Sequence, residues 1–165
     1  MNEKQYNVLV LCTGNSARSI LGEVLFNQLG KGLFNAYSAG SKPAGQVNPG
    51  ALELLQQQGY STDGLRSKSW DKFAAPGAPE FDFIFTVCDN AAGETCPIWP
   101  GKPATAHWGI PDPAHVEGLD ARRAAFKKAF EQLARRIQLF MSLPIEKMDK
   151  LTLKEKLAEI GRIQD

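Results

Sequence analysis

The chain has 165 residues, 43% of them hydrophobic and 22% charged, a balance that fits one globular domain and excludes both a disordered chain and two ordinary domains. A core of this size needs no disulfide or metal staple to fold. With 19 Lys and Arg against 18 Asp and Glu the net charge is +1, which argues against a dedicated nucleic-acid binder, and the apolar runs are too short to span a bilayer.

Asn7 to Leu11 is a continuous Val/Leu-rich run, the pattern of a strand buried on both faces of a parallel sheet. A Gly/Asn/Ser turn from Thr13 to Ser16 follows. A helical stripe of Ile20, Leu21, Val24, Leu25 and Leu29 comes next, stopped by Gly30 and Gly32. A second strand is expected at Ala36 to Gly40. Asn48-Pro49 then supplies an N-cap and a proline at the first helical position, with Ala51, Leu52 and Leu55 as the buried face and Gly59 as the stop. Phe81 to Val87 is the strongest strand pattern in the chain. Residues 89 to 103 carry Gly and Pro turn signals without periodicity, as a surface loop would, and Thr105 to Trp108 reads as a further short strand.

Between Asp120 and Ser142 the positions Phe126, Phe130, Leu133, Ile137 and Phe140 keep helical spacing, with Arg122, Arg123, Arg135 and Arg136 assigned to a solvated face and Pro144 as the stop. The tail holds a capping-box pattern, Thr152 with Glu155, and apolar Leu153, Leu157 and Ile160, so a short extra helix is expected. Strands alternating with helices predict an α/β fold: a four-stranded parallel sheet with helices on both faces, spanning residues 1–143, plus a C-terminal helical extension over 144–165.

The three cysteines, Cys12, Cys88 and Cys96, are an odd number for a secreted disulfide scaffold, and the N-terminal segment lacks a signal-peptide pattern; a cytoplasmic location is expected. Their spacing contains no Cys-x-x-Cys knuckle, which disfavours a zinc site.

The informative segment is Cys12-Thr13-Gly14-Asn15-Ser16-Ala17-Arg18-Ser19, lying between a strand and a helix. Residues wrapped between a strand's C-terminal end and a helix N-terminus aim several backbone N–H groups at one point. Together with the helix dipole they form a cradle for a tetrahedral oxyanion, here lined by Thr13, Gly14, Asn15, Ser16 and Ala17. Arg18 adds a planar fork for two of the anion's oxygens. Gly14 and Asn15 are expected to take left-handed backbone angles. The same field favours a thiolate at Cys12, whose pKa is expected to fall below the free value of about 8.5, and Ser19 can donate to the sulfur. A buried strand-end cysteine beside a surface arginine is the plain alternative; the Gly, Asn, Ser and Arg at these offsets favour the cradle.

These residues resemble the low-molecular-weight protein tyrosine phosphatase superfamily and, within it, arsenate reductases of the thioredoxin-coupled type. The resemblance runs in order from about residue 6 to 140: Cys12 to Ser19, Ser38-Ala39-Gly40, Asn48-Pro49, Val87-Cys88, Cys96-Pro97, His107-Trp108-Gly109 and Asp112-Pro113-Ala114. It implies a four-stranded parallel sheet and a monomeric enzyme without a cofactor. In the implied reaction Cys12 attacks arsenic, Asp112 protonates the departing oxygen, and Cys88 attacks the Cys12 sulfur. Arsenite leaves, and Cys96 moves the disulfide to Cys88–Cys96. Thioredoxin is the implied electron donor, with glutaredoxin and glutathione as the alternative.

Two departures stand out. Ala17 occupies a position where many relatives have a second cysteine. Some relatives also hold a potassium ion; Asn15, Glu23 and Ser38 match its ligands, but Lys68 falls where an acid belongs, so its ammonium can take the cation's place and no potassium requirement is implied. His107 and Trp108 read as structural. A phosphatase for aryl phosphates, using Cys12, Arg18 and Asp112 alone, is the second reading; a non-catalytic oxyanion-binding or redox-sensing regulator is the third.

Overall fold

The computed structural model describes residues 5–87 and 103–163. Four parallel strands, β1 (Tyr6–Leu11), β2 (Phe34–Ala39), β3 (Phe83–Thr86) and β4 (Ala104–His107), form one sheet in the order β2-β1-β3-β4. Helix α1 (Arg18–Leu29) crosses from β1 to β2, and α2 (Pro49–Gln57) and the single turn α3 (Asp71–Ala74) lie between β2 and β3. After β4 come α4 (Leu119–Met141), a 3₁₀ turn (Ile145–Lys147) and α5 (Lys150–Gly161). Among the described residues no helix is long and apolar enough to cross a membrane.

Strand alternation explains the layering. Val8 and Val10 of β1 join the larger core with Leu21 and Leu25 of α1 and Phe140 of α4, whereas Leu9 and Leu11 join a smaller core with Trp70, Phe73 and Phe81. Both faces of β1 are therefore buried from Val8 to Leu11, which is why that stretch is apolar at every position rather than at alternate ones. The centre of the larger core is aromatic. Phe85 lies 4.0 Å from Trp108, centroid to centroid, and Phe140 meets both nearly edge-on, the geometry that ring quadrupoles favour.

The strand order decides where a ligand can sit. From β1 the chain moves outward to β2, and β3 then returns to the opposite side of β1. The crossovers leave β1 and β3 in opposite directions, opening a crevice beyond the C-terminal ends of these two strands. Cys12 is the residue that follows β1.

Three sequence expectations need correction. The pattern at residues 81–87 is a ladder only over Phe83–Thr86; the Asp82 and Val87 amides still bond β1 at either end. The C-terminal helix begins earlier than its Thr152/Glu155 pattern indicates: Asp149 is the N-cap, and its carboxylate accepts from the Thr152 amide at 2.7 Å. Arg136 is not solvated but only 4% exposed, because α5 folds back over that part of α4.

Candidate active site

The loop from Cys12 to Ala17 is held by its neighbours at almost every peptide. Cys12 is buried, and its amide donates to Ala39 O at 3.2 Å. The carbonyls of Thr13, Gly14 and Ser16 accept from the amides of Lys42, Ala44 and Asn48, and Ser67 Oγ also donates to Gly14 O. Three of the loop's carbonyls are thus turned outward to neighbouring segments.

Asn15 is the keystone. Its φ is 45°, the only left-handed non-glycine among the described residues. Its fully buried side chain accepts from the Lys68 amide and donates to Ser19 Oγ, both at 2.8 Å. Asparagine tolerates this backbone better than other side chains and supplies both bonds. Gly14, expected to share the left-handed geometry, does not. Gly40 is required for a different reason. A Cβ there would fall 2.4 Å from Thr13 O and 2.7 Å from Cys12 O, so only glycine lets the end of β2 lie against the loop.

Arg18 opens α1, whose first turn has no side-chain cap and no acidic residue. Among the described residues, no capping or first-turn acidic side chain thus meets the first backbone N–H groups of α1. Arg18 Nη1 donates to Ile110 O at 2.8 Å, and Nη2 stands 3.5 Å from the Asp112 carboxylate. Asp112 is held in turn by the Ala114 amide at 2.9 Å and lies 3.4 Å from exposed His115. The fold thus brings Asn15 of the loop, Arg18 and Ser19 of the first turn of α1, and Asp112 to one end of the sheet. Cys88 and Cys96 lie outside the described residues.

Residues 7–156 match the family model for low molecular weight phosphotyrosine protein phosphatases. The chain belongs to that family. An arsenate reductase of Halalkalibacterium halodurans is 33% identical over 141 residues, covering 85% of this chain and 96% of that protein. The solved arsenate reductase of Archaeoglobus fulgidus superposes with a TM-score of 0.60 at 27% identity, over 79% of this chain and 98% of that one. A thioredoxin-dependent arsenate reductase of Corynebacterium glutamicum shares the fold at 23% identity, with a TM-score of 0.58 over 84% of this chain and 65% of that one.

Behind the phosphatase-family loop is a cluster of charges. Lys68 Nζ lies 3.7 Å from the Glu23 carboxylate, which also accepts from Ser38 Oγ, and donates to Arg66 O at 2.7 Å. Burial pushes the Lys68 pKa down, and the nearby Glu23 charge acts against that shift. A cleft of about 310 Å³ between α2 and the start of α4 flanks the site, lined by Asn48, Leu54, Ala114, Arg122 and Phe126 among others.

Sequence reasoning missed the Ile110 carbonyl, His115, Ser67 and the backbone of Lys68. None carries a motif: two act through peptide groups that any residue has, and all come from segments remote in the chain.

Proposed function

We propose that the protein is an arsenate reductase that works by a three-thiol relay regenerated by thioredoxin. The observation that carries this reading is the meeting of Arg18, at the start of the helix that follows the Cys12 loop, with the carboxylate of Asp112 at 3.5 Å. A nucleophile, an anion clamp and an acid at one end of a sheet are the parts that attack on a tetrahedral oxyanion requires. The names of the relatives point to arsenate as the anion.

In this reading the loop amides and Arg18 bind arsenate, the amide ring and the α1 dipole hold Cys12 as thiolate, and Ser19 donates to its sulfur. Cys12 Sγ bonds to arsenic while Asp112 gives its proton to the departing oxygen, which leaves as water. The Cys88 thiolate then attacks Cys12 Sγ. The electron pair of the S–As bond passes to arsenic, which leaves as arsenite, and a Cys12–Cys88 disulfide remains. Attack by Cys96 on Cys88 returns Cys12 as thiolate, and the thioredoxin dithiol reduces the Cys88–Cys96 bridge. Such a cycle belongs in a reducing compartment, the cytoplasm, and needs only one copy of the chain.

The test is arsenite formation with thioredoxin, thioredoxin reductase and NADPH, beside the variants C88S and C96S. Loss of reduction in both, with hydrolysis of an aryl phosphate retained, supports the relay. Turnover of C96S with glutathione and glutaredoxin assigns a different donor. Aryl phosphate hydrolysis with no arsenite formed by the parent protein overturns the reading in favour of a phosphatase, the activity that the same loop and acid support without the other two cysteines.

A further inference from the structure

The C-terminal helix is built into the larger core rather than laid upon it: Leu153, Leu157 and Ile160 are all buried. Three contacts fasten it to the exit of β4 and to α4. Trp108, fully buried, donates from Nε1 to Leu157 O at 3.0 Å. Gly161 lets the helix backbone rest against the strand, since a Cβ there would fall 2.4 Å from His107 O and 2.8 Å from Trp108 Cδ1. Arg136 donates from Nη2 to Ile163 O at 2.9 Å, just past the last turn of α5, where a positive charge complements the helix dipole. Withdrawing a guanidinium from water is costly, so its commitment to the tail argues for a defined seat rather than loose packing.

The anchored peptide is close to the site. Only Gly109 separates Trp108 from Ile110, whose amide donates to Val87 O and whose carbonyl receives Arg18 Nη1. Asp112 follows directly on the same run. We propose that α5, locked by Arg136 and Gly161 onto Trp108, is a positioning element that sets where Ile110 O meets Arg18 and where Asp112 stands over the loop. The proposal rests on the reading of Arg18 and Asp112 as anion clamp and acid. It gives the tail a task in the reaction although no tail residue touches the substrate.

The test uses the full chain with the variants G161A and R136M, and K156A as control, since Lys156 pairs only with Glu159 on the exposed face of α5. Four readouts are taken: kcat and KM for arsenate reduction, the pH profile of kcat, inorganic phosphate binding by calorimetry, and the NMR shifts of the Ile110 amide and the Arg18 side-chain N–H. The expected result is a fall in kcat of about tenfold, as for a misaimed general acid. The pH profile of kcat and the NMR shifts should move with it, while KM and phosphate affinity change by less than about twofold because the loop amides remain in place. K156A should match the parent, and R136K should recover part of the loss. Lower melting temperatures with kcat, pH profile and shifts unchanged would overturn the proposal. If G161A does not fold, R136M and its partial rescue by R136K decide by the same readouts. If the parent makes no arsenite, the functional reading fails by itself, and the shifts, which need no turnover, still decide the positioning role.

Discussion

The two sides of the site are built in opposite ways. On the loop side the supports are many and mostly involve peptide groups: Asn15 bridges Ser19 and the Lys68 amide, Ser67 holds the Gly14 carbonyl, and the end of β2 presses against Thr13 through Gly40. On the other side, Asp112 is partly exposed and held by the Ala114 amide and Arg18, with the His115 ring beside it, and it lies on a segment beyond β4. In the proposed reading the loop is the anion receptor, tied to its neighbours by these bonds. In the same reading Asp112 is the acid, and the packing of the strand exit beneath it is proposed to set its place. Binding and chemistry should therefore separate under mutation: loop changes should damage anion affinity and stability together, and acid-side changes should damage turnover alone.

The strongest test of the loop side is G40A. A methyl group forced against two carbonyl oxygens should cost about 3 kcal/mol or more, seen as a lower midpoint in urea, with loss of phosphate binding by calorimetry. Retention of tight phosphate binding in a folded G40A protein would break the comparison. On the acid side, D112N should lower kcat by about 100-fold while phosphate binds no more weakly and the unfolding midpoint stays put; a matching loss of affinity would mean that the two sides are not separable.

Within the loop, N15A should cost about 2–3 kcal/mol, from an unfavourable positive φ and two buried hydrogen bonds. N15G, which relieves only the backbone part, should recover a fraction of that in the same urea titration. The smallest effect concerns the tail. The Thr152 amide holds the Asp149 carboxyl below its ordinary pKa, so the stabilisation is present above the unfolded-state pKa and is lost as pH falls through the folded-state value. D149A should melt below the parent at neutral pH, and the gap should close in acid below about pH 3.9. A gap that persists at low pH would show that the cap acts through packing rather than charge.

Much of the loop side was legible in the chain because its logic is local. Cys12 after an apolar strand, Asn15 and Ser16 in the turn, and Arg18 at the first helical position are neighbours in sequence and space. The same holds for the Asn48 cap, whose side chain accepts from the Gly50 amide as Asn48-Pro49 predicts. Asp112 was reached only through the family resemblance, since an Asp-Pro turn alone has many uses. Arg136 shows the limit from the other direction. Its place among basic residues on an amphipathic helix reads as solvated, yet the returning tail buries it, and no pattern within α4 announces that tail.

By itself the sequence determined the alternation of strands and helices, the apolar faces and the tight turn between β1 and α1, because periodicity and turn chemistry are properties of consecutive residues. Tertiary structure alone decided the order β2-β1-β3-β4, the crevice at the ends of β1 and β3, the close approach at Gly40, and the seating of Arg18 against Ile110 and Asp112. Those contacts join segments far apart in the chain, several of them through backbone groups common to every residue, and only packing selects which of them meet.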